Sequence, residues 1–298
     1  ISSKQPLGPG DDCAALHPPG KNQLLLLKTD CIAEDVHFLR SHDPARVAWK
    51  ALCRPLSDIA AMGGTSGEAL ITFFSPPDVG SDYWLKFYRG LGRAARKFGV
   101  TIAGGEMSRQ KHGIAVSVAL TGSIEKKNLL LRSGGKPGDA VFVTGVLGGT
   151  QASHHLDFIP RLAEGRWLAK NARPNAMMDL SDGLHADLGR LCAASRVAAR
   201  VDAGSLPGEG PLAWRTSWGE DFELCFTAPR AAADRVAAIA ASIALPLARI
   251  GSITESSGLV VRDERGVLGA FGEVLVFLRI GLVVVELEGG NLAGIVAM

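Results

Sequence analysis

Several protein classes are excluded by what this chain lacks. No run of lysines and arginines interrupts an even mix of 32 basic and 30 acidic residues, so the basic tract that follows a nucleic-acid backbone is missing. The five cysteines, Cys13, Cys31, Cys53, Cys192 and Cys225, are odd in number and widely spaced, with no C-x-x-C pair. Neither a disulfide framework nor a zinc site is expected from them, and a reducing cytoplasm fits best. The most apolar stretch, Val274 to Val285, is broken by Arg279 and Gly281 and is too short to span a bilayer, so a buried strand is expected there. No apolar h-region follows Ile1, which argues against a signal peptide; the missing initiator methionine suggests that a leading segment is absent. What remains is a soluble globular composition, 47% apolar and 21% charged over 298 residues, enough for two ordinary domains.

Strand and helix signals alternate along the chain. Gln23 to Thr29 reads as a buried strand ending at Asp30. Asp43-Pro44 opens a helix with Asp as N-cap and Pro in the first turn; it runs to Gly63-Gly64 and should kink or split at Pro55. Ala69 to Phe74 is a second strand, and Ser81 caps a second helix that ends at Gly99. Val100 to Ala103 forms a strand feeding a Gly104-Gly105 loop, and Ile114 to Thr121 is a half-buried strand. The turn cluster Lys136 to Asp139 marks a domain boundary, giving units 1–135 and 136–298. Beyond it come the strand Ala140 to Thr144, the helix Gly183 to Ser195, strands at Val197 to Val201 and Leu224 to Thr227, a helix from Ala231 to Ile243, and strands from Ile250 onward. The expected class is α/β with α+β layering, in two domains.

The acidic residues arrive in short packets beside glycines or at strand ends. They are Asp11-Asp12, Asp30, Asp58, Glu106, Asp179 with Asp182, and Glu220-Asp221. Turn capping explains any one of them. Together they suit several Mg²⁺ ions held against a polyphosphate, since Mg²⁺ prefers a few carboxylates plus waters and phosphate oxygens. Other residues invite plainer readings. His37 in Val-His-Phe reads as a packed, hydrogen-bonded histidine, and Tyr88 at helical spacing with Trp84 and Leu91 reads equally as core. Asp187 reads as a solvated helix face. His154-His155 are adjacent and point apart, so metal binding there is not expected. Nothing marks Cys31 as an activated nucleophile, and Gly104-Gly105 alone is a weak phosphate-loop signal.

The ordered motifs Gly10-Asp11-Asp12-Cys13-Ala14, Thr29-Asp30 through His37-Phe38, and Leu56-Ser57-Asp58-Ile59-Ala60-Ala61-Met62-Gly63 resemble those of the thiamine-monophosphate kinases. This family lies within the aminoimidazole-ribonucleotide synthetase superfamily. The likeness continues through Gly104 to Arg109, Arg132-Ser133-Gly134, Met178 to Leu184 and Gly219 to Leu224, and covers roughly residues 8 to 265. It implies a two-domain synthetase-like fold whose N-terminal sheet pairs in a homodimer. It also implies ATP-dependent phosphorylation of thiamine monophosphate to thiamine diphosphate, with a Mg²⁺ cluster in place of any acid–base residue.

By that resemblance Asp11, Asp12, Lys28 (through its main chain), Thr29, Asp30, Asp58, Glu106, Asp179 and Asp182 are metal ligands. Tyr88, Gly105, Glu106, Arg132 and Ser181 contact ATP, and His37 and Glu220 contact thiamine monophosphate. Glu106 stands where the family usually has Asp or Asn. The family's helix before Gly-Asp-Asp is absent, the segment from Leu206 to Gly219 is shorter, and the closest stretch to its terminal aromatic motif is Gly269-Ala270-Phe271. A different phosphate acceptor, or a non-catalytic nucleotide-binding role, are the alternatives.

Overall fold

In the second strand of the N-terminal half, Gln23–Ala33, side chains alternate between two environments. Leu24, Leu26 and Ile32 are buried, while Leu27, Thr29 and Cys31 are exposed. This computed structural model describes residues 11–16, 22–149, 154–242, 244–255, 258–263 and 266–271. The apolar segment Val274 to Val285 lies outside them.

The N-terminal half contains β1 (Ala14–Leu16), β2 (Gln23–Ala33), α1 (Pro44–Ala61), β3 (Thr65–Ser75), α2 (Ser81–Phe98), β4 (Thr101–Arg109) and β5 (Ala115–Glu125). Its five strands lie in the order β1-β2-β5-β3-β4. Only β3 and β4 run parallel, joined by the α2 crossover, as parallel neighbours require. The inner face of the sheet is covered by α1 and α2 and carries Leu26, Ile71, Phe73, Val116 and Val118 into the core.

The C-terminal half contains β6 (Ala140–Thr144), α3 (Leu162–Trp167), β7 (Ala176–Asp179), α4 (Leu184–Ser195), β8 (Ala198–Asp202), α5 (Leu212–Ser217), β9 (Leu224–Ala228), α6 (Arg230–Ser242), β10 (Leu247–Thr254), β11 (Gly258–Asp263) and β12 (Gly266–Phe271). Its strands lie in the order β12-β11-β8-β10-β6-β9-β7. All five residues of β6 are buried, because both faces of the sheet are packed. Phe142 joins the core shared with α1, and Val141 and Val143 join a second core under α4.

The two halves share that first core. Trp49 on α1 donates its indole N–H to Phe158 O at 2.8 Å. A Cβ on Gly165 of α3 would lie 2.1 Å from Ala60 O, so only glycine permits the close approach of α3 to α1.

Several expectations are corrected. Asp43 does cap α1, accepting from Ala45 N, but the helix is continuous through Pro55. The N-cap of α2 is Gly80, with no side-chain cap, and Ser81 is already its first residue. Gly104-Gly105 is no loop: after a register shift at Ala103, β4 continues through it to Arg109, because the parallel pairing with β3 extends to Ser75. The short strands β1 and β7 gave no usable signal; Ala-Met-Met-Asp is buried throughout and shows no alternation.

Candidate active site

Three carboxylates from separate parts of the chain converge. Asp12 precedes β1, Asp58 lies in the last turns of α1 and Asp179 ends β7; one oxygen from each falls within 4.8 Å of the others. All three are buried. Burial, reinforced by Asp12, raises Asp179 to about 7, and burial with Asp179 beside it raises Asp58 well above the carboxylate range. Burial also raises Asp12 and Asp11. Anions packed together in a low dielectric hold their protons tightly unless cations intervene.

Two side-chain cations reach this cluster. Lys28 Nζ donates to Asp58 Oδ1 at 2.6 Å. Arg132 grips Asp12 with two bonds, Nε at 3.2 Å and Nη2 at 2.8 Å, and donates its backbone N–H to Asp11 at 2.7 Å. The fork geometry is the kind arginine offers a carboxylate or a phosphate.

Helix α1 extends the site away from the trio. Lys50, Arg54 and Asp58 recur every fourth residue and so form one polar stripe on a helix whose buried side is otherwise apolar apart from Ser57. Arg54 donates to Asp30 Oδ2 and to Glu220 Oε1, each at 3.3 Å. Lys50, with its side chain wholly buried, donates to His37 O at 2.6 Å and to Glu220 Oε2 at 2.8 Å, and lies 2.8 Å from His155 Nδ1. Burial lowers Lys50 to about 8, partly offset by Glu220. Burial would raise Glu220, but His155 and Lys50 outweigh it and take Glu220 down to about 2.

His37 accepts a hydrogen bond from Ala33 N–H on Nδ1 at 3.1 Å, which leaves its proton on Nε2. Burial, with Arg54 nearby, lowers its pKa. The plain reading of a packed histidine and the functional one coexist, because Nδ1 is anchored while Nε2 keeps its donor.

The loop after β7 is held from both sides. Ser181 N and Asp182 N both donate to Asp187 Oδ2 at 2.8 Å, and Ser181 O accepts from Glu220 N at 2.7 Å. Asp187 is fully buried rather than a solvated helix face, and Arg190 bridges it to the exposed Asp182. Glu220 and Phe222 adopt positive φ of 68° and 51°, the bend that lets their N–H groups meet Ser181 O and Leu180 O.

The remaining residues assigned by resemblance fall elsewhere. Tyr88 is half exposed and shares a pocket of about 230 Å³ with Phe73, Leu91, Ile102, Gly105 and Met107. A Cβ on Gly105 would lie 2.0 Å from Ile71 O, so glycine is required there by close strand contact. Glu106 also lines this pocket and accepts from Ser108 Oγ at 3.4 Å. Thr29 is exposed, on the face of β2 opposite Lys28 and Asp30. Its row through Ala119 and Leu70 adjoins the row Cys31, Ser117, Thr72 and Glu106, which places Thr29 and Glu106 on the same outer face. Gly269 to Phe271 end β12, at the sheet edge opposite β7 and Asp179.

Lys50, Arg54, His155, Asp187 and Arg190 were not singled out as functional from sequence. The signal for the first two was the four-residue spacing of charges in line with Asp58. The contacts of His155 with Lys50 and Glu220 are tertiary, with no local pattern to announce them, whereas Asp187 and Arg190 stand three residues apart on α4, the spacing of a helical ion pair.

Comparison with known proteins shows the family to which the chain belongs. The model of the AIR synthase related protein N-terminal domain matches residues 10–124, and that of the C-terminal domain matches residues 154–264. Thiamine-monophosphate kinase of Rhodopirellula baltica is 36% identical over 275 residues, covering 85% of each chain. The Escherichia coli K12 enzyme of that name is 34% identical, covering 83% of this chain and 84% of its own. The structure of AaThiL complexed with AMPPCP and TMP superimposes with a TM-score of 0.76 at 32% identity, covering 85% of this chain and 87% of its own. The thiamine-monophosphate kinase structure from Stenotrophomonas maltophilia K279a gives 0.75 at 32% identity, covering 87% and 91%. With both domain models matched in order and these relatives aligned along most of their length, the chain belongs to the thiamine-monophosphate kinase family of AIR synthase related proteins.

Proposed function

We propose that the protein transfers the γ-phosphoryl group of ATP to thiamine monophosphate, forming thiamine diphosphate by direct in-line displacement. The observation that carries the reading is the buried Asp12, Asp58 and Asp179 trio. Its donor set is oxygen only, which suits a hard divalent cation such as Mg²⁺, and its raised pKa values mark a place short of positive charge. These three would hold Mg²⁺; Asp11, Asp30, Asp182, Thr29, Glu106 and the Lys28 main chain are ligands by resemblance only. Bound Mg²⁺ would supply neutralisation between an anionic acceptor and the anionic γ-phosphate.

The chain's own groups do the rest. Arg132 presents a fork to phosphate oxygens once Asp12 shares it. The 181–182 loop, braced by Asp187, fixes Ser181 beside the nucleotide phosphates. The pocket of Tyr88, Ile102 and Gly105 offers apolar walls to the base. Glu220, kept ionised by Lys50, Arg54 and His155, and the Nε2–H of His37 face the acceptor. An acceptor phosphate is already ionised at neutral pH, so no side chain need remove a proton.

The reading includes a cytoplasmic homodimer paired through the outer face of the N-terminal sheet. Leu27, Leu70 and Phe74 are exposed on the outer face of β2 and β3, a larger apolar surface than isolated surface residues explain. A second copy is the occupant that the family resemblance supplies. Sedimentation showing only monomer at micromolar concentration would reject it. Product formation that requires both ATP and thiamine monophosphate tests the reaction itself.

A further inference from the structure

We propose that the Lys28 ammonium is a resident cation of the Asp12, Asp58 and Asp179 cluster and takes the place of one divalent ion there. The inference rests on the metal reading above and concerns how many ions the cluster accepts.

Alternation along β2 puts Lys28 on the inner face of the sheet, in line with Leu24, Leu26 and Asp30. A lysine on that face must bring its charge out of water, a cost that only nearby anions offset. Lys28 meets Asp58 at 2.6 Å, where the Asp58 side chain is 8% exposed and that of Lys28 23%. Arg132 already occupies Asp12, whose side chain is fully buried. Two fixed cations therefore stand against three carboxylates. An ammonium is a compact, strongly hydrated point charge with three donors, which places it among oxygen ligands much as a small hard ion is placed. It is tethered to a central strand hydrogen-bonded on both sides, by β1 and β5, so it stays within reach of the site when ligands arrive. A divalent ion approaching Asp58 meets both a like charge and an occupied carboxylate.

The test is a Mn²⁺ titration of the nucleotide-free protein, with free Mn²⁺ counted by electron paramagnetic resonance. The wild type, Lys28→Met, Lys28→Arg and Asp58→Asn are compared. Lys28→Met is expected to bind one more Mn²⁺ per chain than wild type at saturation, and Lys28→Arg the same number as wild type. Equal stoichiometry in wild type and Lys28→Met overturns the proposal and leaves the metal reading standing. No Mn²⁺ bound by either overturns both. If circular dichroism shows Lys28→Met unfolded without metal, Lys28→Gln, which keeps a hydrogen-bond donor but no charge, is read by the same criterion.

Discussion

Lys50 on α1 and Glu220 on the loop before β9 form an ion pair at 2.7 Å, joining the two halves of the chain at the proposed acceptor end of the site. The lysine side chain is fully buried, so the pair is asymmetric: Lys50 depends on Glu220, whereas Glu220 also has Arg54 and His155. Removing one partner of a buried pair typically costs about 3–5 kcal/mol because the other charge is stranded. Glu220→Gln should fall in that range by urea denaturation. Lys50→Met should cost clearly less, and the double variant less than the sum of the two.

The same pair sets a pH dependence. Glu220 is lowered to about 2 in the folded protein, so its contribution is complete above the ordinary glutamate value and is lost as pH falls through about 2. Lys50 is lowered to about 8, so the folded state binds fewer protons there than the unfolded chain. Its penalty is full below about 8 and fades as pH rises toward the ordinary lysine value. Denaturation midpoints should therefore drop on acidification below about pH 4.5 less steeply in Glu220→Gln than in wild type, and Lys50→Met should remove a stability gain between about pH 8 and 10.

Asp187 receives both Ser181 N and Asp182 N, so its loss orphans two donors at the proposed nucleotide side of the site. Asp187→Ala should destabilise by about 1–3 kcal/mol, the cost of leaving two part-buried donors without their acceptor. Its KM for ATP should rise more than kcat falls. An effect confined to stability, with unchanged KM, would make Asp187 a structural cap alone.

Gly105→Ala would force a Cβ to 2.0 Å from Ile71 O. The expected outcome is separation of β3 and β4 beside the Tyr88 pocket, about 1–3 kcal/mol of overpacking cost, and weaker binding of a non-hydrolysable ATP analogue by calorimetry. Gly104→Ala, whose Cβ would meet Leu70 Cδ2 at 3.5 Å, an ordinary contact, should be milder.

Much of the fold could be read from local chemistry. The Asp43-Pro44 cap and the α1 and α2 periodicity each follow from a spacing or a preferred residue type; the apolar run Gln23 to Thr29 is a strand as read, but it continues past Asp30 to Ala33 and alternates in burial instead of being buried throughout. The readings that failed concern context. Gly104-Gly105 signals a loop in isolation, yet β3 supplies a parallel partner that carries strand geometry through both glycines. Asp187 on an amphipathic helix signals solvent, yet the loop ahead of α4 folds back over it. The carboxylate packets marked Asp12, Asp58 and Asp179 one by one; that they converge depends on α1 packing against β7, which no local pattern encodes.

The most direct measurement is Mg²⁺-dependent formation of thiamine diphosphate from ATP and thiamine monophosphate, by chromatography, for wild type and Asp58→Asn. Wild type should form product only with both substrates and Mg²⁺. Asp58→Asn should lose more than the roughly 10–100-fold that a change outside the metal ligands costs, while keeping a wild-type circular dichroism spectrum. Product formation by Asp58→Asn at the wild-type rate, or by wild type without divalent ions, would contradict the account.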